Sequence, residues 1–589
     1  MEPNHAAGFF SLPWPNEIRK QADGTLDLVG LPTRNSWLLS SLIDTASSEI
    51  SDFGTISASY VRFSGPIDPA SLPSPSASTS PSSPVQLVAL DGTGQRIPVI
   101  LRVEPADGYR TNNLVSLLPY PGHPLRPATR YEVIVTTGVR SADGTPAVPA
   151  PLIAQLDQPF SVGAAPSPAA WSELRTQRDE ARAILAATSS WTASDLVGFS
   201  AFRTQDSRSL MSSVAAAVDR FDVTVPDLTP VSSCDATHTR TTFSGRLTVP
   251  LFQVGLTPVS LTGGRIQVGG DGVAIVQGVQ SIGVGFSVPC GPMPAAGWGI
   301  QTYIDGTGAD VRALGGVGSL ATTTMIGSIA PLYSPSENGD SYNELLFYNF
   351  LAPAAARTNP IQQAAENLVL IRAMEQMATT DPSRVVITGH SQGAQTLSLV
   401  ATSAPAVRAI VSSSAASGQY NSVSYRSDVR DGLGLLTGDA YGLDIRSPVI
   451  QIVQTLMDVD EPSNFPTSGD WLDFAGIHDG CLPFEASRNL AGAQHLAIVN
   501  PQWPSIFGDA ALDPITLTSP VAANGPGGTT RVLIETAGAH RAAFGNPELA
   551  GAFIDQVMAG QTPVVPVGPY DDGPADSCAP RYGEVGNNS

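Results

Sequence analysis

The second half of the chain alternates between two kinds of segment, and this alternation limits the folds open to it. Short runs rich in β-branched residues, such as WGIQTYIDG, SRVVITG and RVLIETA, are separated by longer runs with the 3.6-residue period of a helix, such as IQQAAENLVLIRAMEQMAT and PELAGAFIDQVMAG. Helices between consecutive strands provide the crossovers that parallel strands need. The sequence therefore predicts an α/β domain over residues 228–562, built on a mostly parallel sheet flanked by helices.

The first part of the chain has a different pattern. Residues 51–158 contain runs that alternate at period two, among them ASYVRFSGPID and RYEVIVTTGVRS, with turn residues between them. Strands at this spacing predict a small Ig-like β-sandwich. Residues 159–227 are predicted to be a helical connector, with an N-terminal segment at 1–50 and a Pro/Gly-rich tail at 563–589. A chain of 589 residues is too long for one core, so several domains are expected.

Charge and composition exclude several classes of function. The net charge of −21 and the pI of about 4.6 disfavour binding to a phosphate backbone, so we expect no nucleic-acid partner. No apolar run is long enough for a transmembrane helix. Lys20 is the only lysine, which leaves none for a Schiff base or a P-loop in the main body of the chain.

Four cysteines occur in the chain, and none of them forms a CxxC pair. This sparse, even set indicates two disulfides and an oxidising compartment rather than a zinc or redox site. We expect Cys481 to pair with Cys578 and Cys234 with Cys290, a pairing that the sequence alone does not fix. The first residues, MEPNHAAGFFSLPWPNE, do not have the pattern of a signal peptide. Because disulfides indicate an oxidising compartment, we still expect a secreted or cell-surface protein, one whose signal peptide has been removed.

The stretch VVITGHSQGAQTLSLV places a serine at a strand-to-helix junction. Its GxSxG pattern is weak alone in a chain with 56 glycines, but the flanking strand and helix are the context of a nucleophile elbow. The glycines permit a strained turn, and the new helix directs its N–H groups and the positive end of its dipole toward a developing oxyanion. Ser391 is therefore a candidate nucleophile, although a simple turn serine fits the same letters.

A nucleophilic serine needs a base and an acid, and in an elbow enzyme they follow it in the order acid, then histidine. His540 lies after the strand RVLIETA and before the last helix, which is the expected place for the base. Asp479, after the strand WLDFAGI, is the favoured acid. Asp458 is the alternative, but VIQIVQTLM before it has a helical period.

An oxyanion hole needs two backbone N–H donors. Gln392, directly after the serine, would supply one, and the loop YIDGTGAD after an earlier strand would supply the other. Within that loop we expect Thr307 to be the donor, with Gly306 allowing the turn. The alternative interpretation is an ordinary Gly-rich loop.

The motifs GHSQG, GIHDGCLP and GAHRAAF, in that order, make the C-terminal half resemble the α/β-hydrolase superfamily. The whole chain is similar to large secreted bacterial lipases and esterases with an Ig-like N-terminal domain, through PWPNEIRKQADGTLDL, RYEVIVTTGVRSADGTP, SAFRTQDSRSL and VQTLMDVDEPSNF. The resemblance implies a serine hydrolase with Ser391 as the nucleophile, Asp479 as the acid and His540 as the base. It also implies that Gln392 and Thr307 are the oxyanion donors. Those relatives usually carry His-Gly in the oxyanion loop, where this chain has Asp305-Gly306.

The sequence thus predicts a secreted enzyme that cleaves carboxylic esters through an acyl-enzyme, without a metal or an organic cofactor. The expected substrate is an ester, with lipids and polyesters as candidates. Two alternatives remain open at this stage: a polyester depolymerase or phospholipase using the same residues, and an inactive hydrolase fold that serves as a binding module.

Overall fold

The computed structural model describes most of the chain, and the statements below concern the described residues: 1–3, 8–236, 238–256, 262–307, 314–330, 347–349, 351–418 and 443–574.

The α-helices in these ranges are, in chain order, α1 (Trp37–Glu49), α2 (Pro75–Ser78), α3 (Pro151–Gln155), α4 (Pro168–Ala186), α5 (Ser209–Arg220), α6 (Pro353–Glu375), α7 (Gln392–Ser403), α8 (Pro448–Met457), α9 (Phe484–Ala493) and α10 (Pro547–Met558). The strands are β1 (Ser59–Arg62), β2 (Val85–Ala89), β3 (Val99–Glu104), β4 (Leu114–Pro119), β5 (Arg130–Thr136), β6 (Leu196–Arg203), β7 (Thr229–Ser232), β8 (Arg240–Leu251), β9 (Gly278–Pro289), β10 (Trp298–Ile304), β11 (Thr324–Ile329), β12 (Thr380–His390), β13 (Val407–Ser413), β14 (Asp470–Gly476), β15 (Ala497–Val499), β16 (Thr516–Leu517) and β17 (Arg531–Thr536).

The C-terminal part is built on one large mixed sheet with the strand order β16-β15-β17-β14-β13-β12-β10-β11-β9-β8-β7. The strands from β16 to β11 pair in parallel, whereas β9, β8 and β7 add an antiparallel extension at one edge. The prediction of a mostly parallel sheet flanked by helices is therefore confirmed. The long antiparallel β8–β9 pair, with twelve residues on each strand, forms most of this extension.

Both faces of the parallel part of this sheet are buried, which explains why its strands are apolar runs rather than alternating patterns. Val385 and Ile387 of β12 join the core cluster that contains residues of α5, α6 and α7, while Val386 joins a second cluster with residues of α10. Successive side chains of a strand point to opposite faces, so these clusters lie on the two sides of the sheet. The carboxyl ends of the parallel strands consequently meet along one edge between the two helical layers.

The N-terminal part contains two three-stranded antiparallel sheets, with the orders β1-β4-β3 and β2-β5-β6. Strand β6 comes from the predicted helical connector, and it pairs with β5 from Arg130 to Thr136. Side chains of both sheets share one buried cluster, and α4 covers the outer face of the second sheet through Trp171 and Leu174. The prediction of an Ig-like sandwich is not confirmed, because one of the six described strands follows the α4 helix instead of belonging to residues 51–158.

Helix α8 joins the N-terminal part to the large sheet. Its apolar residues Ile452 and Leu456 belong to the same buried cluster as the strands of the N-terminal sheets. The side chain of Gln451 accepts a hydrogen bond from the Ala58 N–H at 2.6 Å. At the end of the helix, the Asp458 carboxylate accepts bonds from the Thr55 N–H and hydroxyl at 2.6 and 2.9 Å.

Candidate active site

Ser391 lies in a sharp turn between β12, which ends at His390, and α7, which begins at Gln392. Its backbone has φ 57° and ψ −127°, a conformation that L-residues rarely adopt and that the surrounding structure must hold in place. The Ser391 N–H donates to the carbonyl of Ser413, at the end of the neighbouring strand β13, at 3.1 Å. The predicted strand-to-helix placement of this serine is confirmed.

Two glycines allow other backbone segments to approach this turn. A Cβ atom on Gly393 would collide with the carbonyl oxygen of Ile304 and would lie 2.5 Å from that of Asp305, so the start of α7 packs directly against the end of β10. A Cβ atom on Gly306 would lie 2.9 Å from the Cβ of Ser391. The loop after β10 therefore passes immediately over the serine.

Asp479 and His540 form a buried pair at the same edge of the sheet. Asp479 follows β14 and His540 follows the adjacent parallel strand β17, and the register of Gly476 with Thr536 brings the two loops together. His540 Nδ1 lies 2.8 Å from Asp479 Oδ2, and the two residues are 6% and 3% exposed. This pairing fixes Nδ1 as the protonated nitrogen when the ring is neutral, because the carboxylate can only accept. The Nε2 atom is then left with the lone pair that a general base needs.

The Asp479 carboxylate is held from its other side as well. Its Oδ1 accepts hydrogen bonds from the backbone N–H groups of Cys481 and Leu482, both at 2.8 Å. The hydroxyl of Ser414 lies 2.8 Å from Oδ2. These three donors fix the orientation of the carboxylate toward the imidazole.

Asp458, the alternative acid, occupies a different place. It caps the C-terminal end of α8, is fully buried, and is bonded to Thr55 and to Gln454 rather than to a histidine. Burial raises the pKa of Asp458 to about 7. The helical period before Asp458 explains this position, because the helix carries it to the joint with the N-terminal part and not to the sheet edge.

The loop that was expected to supply an oxyanion donor is organised by Asp305. The Asp305 Oδ1 atom accepts bonds from the Tyr303 hydroxyl at 2.8 Å and from the Gly306 N–H at 2.7 Å. The Gly306 N–H is thus already engaged, whereas the Thr307 N–H has no hydrogen-bond partner among the described residues. The Thr307 hydroxyl donates to Gln392 Oε1 at 2.9 Å, so the two predicted donor residues are in direct contact.

Asp305 and His390 influence each other's ionisation. Burial alone would raise the pKa of Asp305, but His390, the Tyr303 hydroxyl and the Gly306 N–H outweigh it, and the pKa is lowered. Burial lowers the pKa of His390 more than the Asp305 carboxylate raises it. At pH 7 the site therefore contains an ionised Asp305 beside a neutral His390.

His390 takes part in the site in a way that the sequence did not reveal. It is not among the site residues predicted from the sequence, yet its ring packs against that of His540 with 4.7 Å between centroids. Its Nε2 atom lies 3.2 Å from the His540 carbonyl oxygen. This contact joins two segments far apart in the chain, so no local pattern could have predicted it.

A group of possible metal ligands lies at the same place, but its chemistry does not suit a metal ion. Ligand atoms of Asp479, Cys481 and His540 lie within 4.8 Å of one another, the only such group in the described part of the chain. Cys481 is disulfide-bonded and cannot offer a thiolate, and the Asp479 oxygens already accept the bonds described above. The donor set fits an acid–base pair better than a metal centre.

The disulfide between Cys234 and Cys290 is present as predicted. Cys481 is also disulfide-bonded, but its predicted partner Cys578 lies outside the described residues, so this pairing stays a prediction. No helix in the described ranges is both long enough and apolar enough to span a membrane.

Comparisons with known proteins give only distant likenesses. No family model matches the chain, and no curated protein matches it. Among solved structures, acetyl xylan esterase 1 from Thermoanaerobacterium is similar with a TM-score of 0.36 and 13% identity, covering 60% of this chain and 94% of the esterase. Candida antarctica lipase A in its closed state is similar with a TM-score of 0.33 and 12% identity, covering 63% of this chain and 91% of the lipase. TM-scores of this size are too low to support a functional conclusion.

Proposed function

We propose that this protein is a serine hydrolase of the α/β-hydrolase type that cleaves carboxylic esters. The observation that carries the proposal is the buried His540–Asp479 pair, which lies at the same sheet edge as a serine in a strained strand-to-helix turn. A buried histidine oriented by a carboxylate is the arrangement that activates a hydroxyl nucleophile. The central sheet, with helices on both faces and these residues at its carboxyl edge, supports the same assignment.

In the proposed reaction, Ser391 Oγ attacks the ester carbonyl carbon while His540 Nε2 accepts the hydroxyl proton. Asp479 keeps the proton on Nδ1 and stabilises the imidazolium that forms. The N–H groups of Gln392 and Thr307 stabilise the oxyanion. Gln392 is the first residue of α7, so its N–H has no intrahelical partner and is available for this role. His540 then protonates the leaving alcohol, and water activated by the same histidine releases the acid from the acyl-enzyme.

The inactive binding module is the less favoured alternative. The feature that suggested it, Asp305 in the oxyanion loop, is explained by the fold, because its carboxylate bonds to Tyr303 and to the Gly306 N–H and does not occupy the Thr307 donor. A lipid, a polyester and a small ester all remain candidate substrates. The disulfides support location in an oxidising compartment, so we propose that the enzyme acts outside the cytoplasm.

The test is covalent labelling of the whole protein with a fluorophosphonate, followed by peptide mass spectrometry. A single adduct on Ser391 is expected, and it should be lost in Ser391→Ala and strongly slowed in His540→Ala. Hydrolysis of a series of 4-nitrophenyl esters would then define the preferred acyl length. A folded protein that neither forms the adduct nor hydrolyses any ester would favour the binding module.

A further inference from the structure

The position of His540 depends on its main chain as well as on Asp479. The imidazole projects from a short loop between β17 and α10. The main-chain carbonyl oxygen of His540 faces two side chains, one at the end of β12 and one directly after β13. These are His390, with Nε2 at 3.2 Å, and Ser414, with Oγ at 3.1 Å. A bond to this carbonyl fixes the backbone from which the catalytic ring projects.

Only one of these two side chains is available to donate a hydrogen bond to the His540 carbonyl. Ser414 has a single hydroxyl hydrogen, and its Oγ is also 2.8 Å from Asp479 Oδ2. A bond to a carboxylate is shorter and stronger than one to a neutral carbonyl, so the Ser414 proton is directed to Asp479. Of these two side chains, His390 is therefore the one that donates to the His540 carbonyl.

The tautomer of His390 follows from the same contact. A carbonyl oxygen can only accept, so the Nε2 atom of His390 must carry a proton. The Nδ1 atom faces Asp305 Oδ1 at 3.9 Å, a separation beyond hydrogen-bonding distance, and it needs no proton for the role described here. The neutral ring favoured by burial is sufficient to donate through Nε2.

The His390 ring is held in one orientation from several directions. It packs against the His540 ring on one side and edge-on against Phe544 at 5.0 Å on another. Asp305 provides the nearest charge on the oxyanion loop. His390 thus has a fixed rotamer and a fixed donor direction, which are the properties of a side chain that positions another group.

From these contacts we propose that His390 is a positioning residue for the catalytic base, acting by donating a hydrogen bond from Nε2 to the main-chain carbonyl of His540. The inference rests on the proposed function for its catalytic consequence, but the backbone contact can be tested without any activity. Because His390 is the residue before the nucleophile, the contact links the elbow to the histidine loop. The turn at Ser391 and the loop that carries His540 then restrain each other.

The experiment compares four variants of the full chain: His390→Leu, His390→Asn, His390→Gln and His495→Asn. Leucine removes the donor at similar volume, and asparagine, which is too short to reach the carbonyl, is a second test in case leucine prevents folding. Glutamine can place an N–H near the original Nε2 position. His495 is an exposed histidine after α9, away from the site, so its substitution is the matched control.

Two measurements are made on each folded variant. Hydrogen exchange of the peptide spanning residues 537–546 is expected to be faster in the leucine and asparagine variants and close to wild type in the glutamine variant and the control. In the same two variants kcat should fall by about 10- to 100-fold with KM nearly unchanged, since a small displacement of the base affects the transition state more than ester binding.

The outcomes separate this inference from the proposed function. Unchanged exchange in both the leucine and asparagine variants, with kcat at the level of the control, would overturn the role of His390. Faster exchange without any fluorophosphonate labelling of wild-type Ser391 would support the backbone contact while refuting the hydrolase. A loss of kcat that glutamine does not restore, with unchanged exchange, would also contradict the proposed hydrogen bond.

Discussion

Gly306 brings a backbone segment against Ser391, the proposed nucleophile, and this approach requires a residue without a side chain. A Cβ atom at this position would lie 2.9 Å from the Ser391 Cβ and 3.3 Å from His390 Nδ1, distances that require the neighbours to move. The serine is already held in an uncommon conformation, so it has little freedom to adapt.

Gly306→Ala should therefore reduce reactivity far more than stability. We expect the rate of fluorophosphonate labelling to fall by about 100-fold, because a shift of about 1 Å in the nucleophile has effects of that size. Gly315→Ala is the matched control, since a Cβ there meets nothing within 4 Å. Equal labelling rates for both variants would show that the loop does not press on the serine.

The two candidate acids can be distinguished by one pair of substitutions. Asp479→Asn should lower kcat by about 10⁴-fold, because the amide no longer holds the productive tautomer of His540. Asp458→Asn should leave kcat close to wild type, since Asp458 bonds to Thr55 and lies at the end of α8. The measurement is kcat for ester hydrolysis by both variants. A large loss in Asp458→Asn with little change in Asp479→Asn would assign the acid to Asp458.

The residues expected to act on the substrate could be chosen from the sequence, whereas the residues that hold them could not. Ser391 lies in a GxSxG motif, and Asp479 and His540 follow predicted strands in the order expected for an acid and a base. His390 and Ser414 touch the histidine loop across 150 and 126 positions of chain. Such contacts form only after the strands have paired, so no local sequence pattern predicts them.

At the scale of the elements, helix α8 shows how periodicity can exclude a site. Ile450, Val453 and Met457 recur at helical spacing, which predicts the helix that the structure contains. The helix ends at Asp458, and its carboxylate is buried at the joint with the N-terminal part. The pairing of β6 with β5 was beyond prediction, because a strand pattern does not identify its partner.

The buried Asp458 should make stability depend on pH in a specific direction. Its pKa of about 7 in the folded protein exceeds the value of 3.8 for an exposed carboxyl. Between these values the unfolded chain ionises while the folded group stays protonated, so this group lowers the free energy of unfolding as pH rises, and the effect is complete above pH 7. The size of the contribution is roughly 4 kcal/mol.

Asp458→Asn isolates this contribution, because asparagine stays neutral. Urea unfolding at pH 4.5 and pH 7.5 should show the variant gaining stability over wild type as pH rises. Asp44→Asn, an exposed aspartate of α1, is the control and should give no such gain. A difference that is the same at both pH values would contradict the proposed burial effect.

For the whole molecule, the shared apolar cluster implies that the N-terminal part and the large sheet unfold together. Leu456 of α8 is fully buried among residues of the N-terminal sheets, so Leu456→Ala should cost about 2–5 kcal/mol. Scanning calorimetry is expected to show one transition whose midpoint falls. Two transitions, only one of which moves, would mean that the two parts unfold independently.

Leu256→Ala is the appropriate comparison for that experiment. Leu256 is 91% exposed, so its truncation should change the free energy of unfolding by less than about 0.5 kcal/mol. A drop comparable to that of Leu456→Ala would indicate that the exposed residue packs against something in solution.

The place of α8 in the N-terminal core also has a consequence for biosynthesis. The ribosome completes the two small sheets early, but the helix that covers their apolar surface emerges only after most strands of the large sheet have been made. During that interval the nascent N-terminal part presents an uncovered apolar surface of the kind that leads to aggregation. Efficient production of this protein should therefore depend on chaperones, or on a secretion route that keeps the chain unfolded until it is complete.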